Sequence, residues 1–169
     1  LLDIKGMREN SITSDDVFDL EKVPKRIVIH GSGYIAIEFA CIFNSLGSNV
    51  SLVMRSKYPL KGFDRDLSYK LLDIIREKGI NIYSNLNIQS VKKNKNAYEI
   101  SLSNGKTICS EKILSATGRT PNVTYLGLKK IGINLDKEGA ICVNNSYQTN
   151  IKNVYAIGDV TNRVNLTPV

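Results

Sequence analysis

The segment Lys25-Arg26-Ile27-Val28-Ile29-His30-Gly31-Ser32-Gly33-Tyr34-Ile35-Ala36-Ile37-Glu38 restricts what this chain can fold into more than any other. Ile27 to Ile29 is a short apolar run of the kind that forms a buried parallel strand. It breaks at two glycines, and an apolar helix is predicted from about Tyr34 to Leu46. Gly31, Gly33 and Ala36 fill the G-x-G-x-x-G/A spacing of a dinucleotide-binding turn. Gly31 permits the tight turn, and Gly33 lets backbone approach a pyrophosphate with no Cβ between them. Ala36 keeps helix and strand close, while the helix N-terminus offers N–H groups and a positive dipole to an anion. A second strand, Asn49 to Met54, follows the turn Leu46-Gly47-Ser48 and completes a βαβ unit. Glycine spacing alone is a weak signal; the strand before and helix after it point to a bound dinucleotide.

Glu38 is the one charged side chain between Gly33 and Leu46, in a run otherwise suited to burial. Tyr34 and Glu38 are spaced i, i+4 and share a face at the start of the helix. Two readings stand: a carboxylate turned toward a cofactor, or a rim glutamate paired with a neighbouring cation.

The loop Met54-Arg55-Ser56-Lys57-Tyr58-Pro59-Leu60-Lys61 bears on the choice of coenzyme. NAD-binding domains usually carry an acid near this point to hold the ribose 2′-hydroxyl. Here Arg55 follows the strand, with Lys57 and Lys61 close behind. Basic groups bind a 2′-phosphate by charge-assisted hydrogen bonds, where a carboxylate would repel it. The loop therefore reads as selective for NADP over NAD, the alternative being a set of solvated charges.

Asp64 to Gly79 predicts an amphipathic helix with Leu67, Leu71, Leu72, Ile74 and Ile75 as its stripe, and Ile80 to Tyr83 the next strand. A β-meander follows at Ile88–Lys92, Tyr98–Leu102 and Thr107–Cys109, its second turn marked by Asn104-Gly105. Ile113 to Ala116 re-enters the parallel sheet and stops at Thr117-Gly118, placing Gly118 where a cofactor can approach closely. Residues 1–22 read as a connector, with a short capped helix after Thr13. Beyond Asn122 a short helix is expected within Leu126–Ile131, and short strands at Ala140–Val143 and Val154–Ile157.

Composition narrows the class. The chain has 169 residues, 42% of them hydrophobic, which suits an α/β core. The net charge of +7 comes mainly from lysines scattered among Asn and Ile, with no basic run interleaved with aromatics, so nucleic acid is not the expected partner. Cys41, Cys109 and Cys142 lie far apart and the single histidine is His30, which argues against a metal centre or a redox cysteine pair. No apolar run reaches the roughly 18 residues of a membrane span.

Three motifs, Gly31-Ser32-Gly33-Tyr34-Ile35-Ala36-Ile37-Glu38, Ala116-Thr117-Gly118-Arg119-Thr120-Pro121-Asn122 and Ala156-Ile157-Gly158-Asp159, resemble in order the central part of the pyridine nucleotide-disulfide oxidoreductases. The glutathione-reducing members are most similar, with trypanothione-reducing and lipoamide-oxidising members, or a stand-alone nucleotide-binding module, as alternatives. The resemblance implies a Rossmann-like α/β NADPH-binding domain over 23–120, with parallel sheet, helices and β-meander. It also implies part of an FAD-binding region over 121–169. Ser32, Ile35 and Glu38 match positions lining the pyrophosphate and nicotinamide of NADPH, and Tyr34 a tyrosine that shields the flavin. Arg55 and Lys61 match the basic pair on the 2′-phosphate, Lys61 standing where relatives usually have Arg. Gly118 matches a nicotinamide contact, Asp159 the acid on the FAD ribityl chain, and Thr167 a flavin contact. Asn165 stands where relatives usually carry Glu or Gln. The redox cysteines would lie before Leu1, and the catalytic His-Glu pair and dimer interface after Val169. No catalytic residue is therefore expected here, and the whole enzyme is expected to be a cytoplasmic homodimer acting on oxidised glutathione.

Overall fold

The computed structural model describes residues 3–95, 97–163 and 165. They form two compact units, one ending at Gly118 and the other starting at Arg119.

In the first unit, β1 (Arg26–His30), β2 (Asn49–Val53), β3 (Asn81–Tyr83) and β7 (Lys112–Ser115) make a parallel sheet in the order β3-β2-β1-β7. Helix α2 (Tyr34–Ser45) links β1 to β2, and α3 (Arg65–Glu77) links β2 to β3. β4 (Ile88–Asn94), β5 (Ala97–Leu102) and β6 (Thr107–Ser110) form a separate antiparallel sheet. This is the Rossmann-like α/β architecture with a β-meander that the sequence predicts.

The middle of β1, Ile27 to Ile29, is apolar because both its faces are covered. Side chains alternate along a strand, so Ile27 and Ile29 meet Ala40 and Phe43 of α2 and Leu72 and Ile75 of α3. Val28 turns the other way, into a core with Val91, Ile100 and Leu102 of the meander. Helix α3 starts where a cap is available: the Asp64 carboxylate accepts from the N–H groups of Asp66 and Leu67, at 2.9 and 3.2 Å.

Residues 3–22 are built into this unit. A short helix, α1 (Met7–Asn10), carries the fully buried Met7 into the meander-side core. Lys5 bridges to Ser90, and Ile12 bridges to Leu114 beside the sheet. The helix expected after Thr13 is a 3₁₀ turn, Asp16–Asp19, whose Asp16 carboxylate accepts from the Thr13 N–H and hydroxyl, both at 2.7 Å.

The second unit packs Ile133, Ile141 and Ala156 together. The helix expected within Leu126–Ile131 is a 3₁₀ turn, Leu128–Ile131. The strands expected at Ala140–Val143 and Val154–Ile157 are reduced to single bridges, Leu135 with Ile141 and Gln148 with Tyr155. Their backbone groups find partners that change from residue to residue, as when Ile141 N–H bonds Val160 and Cys142 N–H bonds Asn134. No ladder can build from such pairs. Among the described residues no helix is long and apolar enough to cross a membrane.

Candidate functional site

The carboxyl ends of β1, β2 and β7 meet at the glycine turn. Gly31 N–H donates to Val53 C=O at 3.0 Å, and Ala116 N–H donates to His30 C=O at 2.8 Å, so the turn is pinned on both sides. The two glycines have different causes. Gly31 has φ +148°, and a Cβ there would lie 2.2 Å from the Ala116 carbonyl oxygen and 3.3 Å from Ala36 Cβ. The fold itself demands that glycine. Gly33 has φ −79°, a value open to any residue, and a Cβ there would meet nothing within 4 Å. Nothing among the described residues requires it. Gly33 caps α2, whose first internal bond is Ile37 N–H to Gly33 C=O at 3.2 Å, so the positive end of the helix lies beside open space.

Gly31→Ala should therefore cost about 3 kcal/mol or more of stability, since the Ala116 backbone just after β7 would have to move and φ would be strained. A urea midpoint close to wild type would count against so tight a contact.

The basic loop is fastened to the same turn. Leu60 N–H donates to Ser32 C=O at 2.7 Å, joining the segment that carries Arg55 and Lys61 to the middle of the glycine motif. The Ser56 hydroxyl donates to Tyr58 C=O at 2.7 Å, and the Tyr58 ring lies 4.2 Å from that of Tyr69. Lys57 Nζ sits 5.2 Å above Tyr58, which occupies it locally. Arg55 and Lys61 are exposed, and among the described residues neither has an acidic partner.

Ser32, Tyr34 and Ile35 are half-buried at the turn and the start of α2. Glu38 corrects one expectation: it is exposed rather than set in a buried run. The helix directs Ala36, Ile37, Ala40 and Phe43 to the core and leaves Glu38 on its open side, where among the described residues it makes no ion pair. The rim salt bridge is therefore not formed. Gly118, exposed with φ +140°, follows β7 at the end of the first unit.

In the second unit, Asp159 opens a 3₁₀ turn, Gly158–Thr161, and its carboxylate lies 3.7 Å from Arg119 Nε, both side chains about half exposed. Asn165 donates to Asn162 Oδ1 at 3.0 Å. Thr167 lies outside the described residues. Among the described residues no group of acids, cysteines and histidine is placed to hold a metal.

Two residues of the glycine turn's surroundings gain importance only in three dimensions. His30 is 3% exposed, and among the described residues its Nδ1 has no hydrogen-bond partner. Burial, and then the positive charge of Arg55, push its pKa down to about 4. Leu60 has a left-handed backbone, φ +56°, which no feature of a leucine in sequence announces.

Residues 1–169 match the family model of the pyridine nucleotide-disulphide oxidoreductases. The chain is similar to a glutathione reductase of Burkholderia cepacia, at 44% identity over 94% of this chain and 35% of that protein. It is 39% identical to a trypanothione reductase of Trypanosoma congolense, over 100% of this chain and 35% of that one. The structure of the HOCl-induced flavoprotein disulfide reductase RclA from Escherichia coli superposes with a TM-score of 0.92 at 27% identity, covering 99% of this chain and 39% of RclA. This chain thus spans about a third of the length of the curated relatives it matches. With the motif order, the sheet topology and the full-length family match in agreement, the chain belongs to the pyridine nucleotide-disulphide oxidoreductase family.

Proposed function

We propose that this chain is the NADPH-binding portion of a flavin-dependent disulfide reductase whose substrate is oxidised glutathione. The observation that carries the coenzyme reading is Gly33, a glycine with no structural cause, at the open positive end of α2. A pyrophosphate fits there, with Ser32 and Ile35 beside it. Arg55 and Lys61, without acidic partners among the described residues and tied to the same turn through Leu60, suit a 2′-phosphate. Half-buried Tyr34 and exposed Glu38, one turn apart at the start of α2, serve the nicotinamide end, with Gly118 just after β7. Asp159 and Thr167 serve FAD, and Asn165 stands on the nicotinamide side. Asp159 keeps acceptor capacity beyond its contact with Arg119 because half its surface is open.

When bound, NADPH supplies a hydride and FAD passes the electron pair to a disulfide; glutathione disulfide takes up two electrons and two protons to give two thiols. The residues of this chain bind and orient; none of them exchanges electrons. By the same resemblance the intact enzyme works as a cytoplasmic homodimer. The similarity to a trypanothione reductase across the whole chain supports a second reading, in which the disulfide is trypanothione. Steady-state reduction of each disulfide by the intact protein decides between them: turnover of oxidised glutathione with NADPH is expected, and turnover of trypanothione disulfide alone would overturn the first choice.

The coenzyme site has its own test. Gly33→Val should leave the melting temperature within a few degrees of wild type, because the added side chain enters open space. NADPH affinity should fall tenfold or more, since that space is where the pyrophosphate would lie. Unchanged affinity would place the coenzyme elsewhere.

A further inference from the structure

The basic loop is held at both ends by contacts that nothing in its charges explains. At its start, Met54 is fully buried, its N–H donates to Tyr83 C=O at 2.8 Å and its C=O accepts from Leu86 N–H at 3.0 Å. At its end stands Leu60, fixed from three directions. Its side chain packs against the helix-side core, its N–H reaches Ser32 C=O at 2.7 Å, and its C=O accepts from Phe63 N–H at 3.0 Å. This geometry needs φ +56° at a leucine. Left-handed backbone is unfavourable for a residue with a Cβ unless a short polar side chain can bond locally, as in Asn or Asp. Among the described residues Asn85, Asn162 and Tyr147 also adopt it. Leu60 has no such help, so the surrounding contacts must hold it there, and strain of this kind gathers at ligand-binding positions.

We propose that Leu60 is the positioning residue that sets the strength of coenzyme discrimination. Its left-handed backbone turns the chain so that the next residue, Lys61, is presented beside the glycine turn together with Arg55. The proposal rests on the reading of the glycine turn as the pyrophosphate site and of the basic loop as the 2′-phosphate site. Its physical content is preorganisation. Two cations on a floppy loop would lose conformational freedom on meeting a phosphate, and that loss subtracts from affinity; a loop already fixed at both ends is spared it. The tether acts on the 2′-phosphate and on no group that NADH shares, so its effect falls on the ratio of the two affinities.

Leu60→Pro removes the N–H donor and forbids positive φ. Leu60→Val keeps the donor and an apolar side chain but is β-branched, which disfavours the left-handed backbone; it serves if the proline variant does not fold. Direct titration of NADPH and NADH into the purified wild type and both variants reads the outcome. NADPH affinity should drop about tenfold in Leu60→Pro and severalfold in Leu60→Val, with NADH affinity within about twofold of wild type. A wild type that binds both coenzymes alike would overturn the coenzyme reading and this proposal with it. A wild type that prefers NADPH, with variants that keep its ratio or lose both coenzymes equally, would overturn the role of Leu60 alone.

Discussion

Arg55→Glu combined with Lys61→Ala is expected to weaken NADPH binding by about 10²-fold or more while leaving NADH binding unchanged or improved. The 2′-phosphate carries up to two negative charges, and in the wild type two exposed cations with no acidic partner among the described residues await it. A hydrogen bond to a charged group contributes roughly 1.5–3 kcal/mol, less what solvent removes at an exposed site. Two such bonds, at about 1.4 kcal/mol per factor of ten, give the expected ratio. The glutamate adds repulsion where an attraction stood. The glycine turn and α2 contact parts that both coenzymes possess, so they do not discriminate. Raising the salt concentration should erode the preference of the wild type and leave the variant little changed. Calorimetric titration of both coenzymes into both proteins measures this. Equal affinities in the wild type, or equal losses in the variant, would mean that the loop is only a solvated surface.

The parts of this site that could be read from sequence are those in which one local rule governs. The β1–α2–β2 unit was legible because an uninterrupted apolar run, a fixed glycine spacing and a helical stretch each demand one conformation. The α3 start was legible because Asp64 is a good cap, and the β5–β6 turn because Asn104-Gly105 suits a left-handed turn; Gly105 has φ +82° there. What was not legible depends on distant partners. Met7 is a single apolar residue in a polar stretch, and only the meander core gives it a place. The strands expected around Ile141 and Ala156 fail because strand propensity without a continuous neighbour yields bridges. Gly31 and Gly33 look equivalent in sequence, yet only the carbonyl of Ala116, a residue 85 positions beyond Gly31, separates their causes. Leu60 shows the same limit in the backbone, because its φ is imposed by Ser32 and the core.

The stability of this protein is expected to fall by roughly 3 kcal/mol as pH drops from about 6.5 to about 4, because of His30. His30 ends β1, with Val53 and Ser115 as its neighbours in the sheet, almost wholly removed from water and with Nδ1 unpartnered among the described residues. Burial first, and then the charge of Arg55, lower its pKa from 6.5 to about 4. The sign follows from proton counting. Above pH 6.5 the imidazole is neutral in both states and stability is complete. Between the two pKa values the unfolded chain takes up a proton that the folded chain refuses, so stability is lost as pH falls, and below about 4 the loss levels off. The size follows from about 1.4 kcal/mol for each pH unit between the two values. His30→Val should remove this component of the slope and, by deleting a buried nitrogen without a partner, raise stability at pH 7 by about 1–3 kcal/mol. Valine suits the position, a strand end walled by Val53. Asp16 bears on the test only at the acid end: hydrogen bonds from the Thr13 backbone and then its hydroxyl lower the pKa of this exposed carboxylate, and both proteins share that loss. The charge of Arg55 provides an internal control. Replacing it with Glu turns a repulsion of the imidazolium into an attraction, so the His30 pKa should rise and the pH-dependent loss should shrink. Urea unfolding of wild type, His30→Val and Arg55→Glu at pH 7, 5.5 and 4.5 gives the three slopes. Parallel curves for wild type and His30→Val would show that His30 takes up its proton equally well in both states, and that the orphaned nitrogen has found a partner.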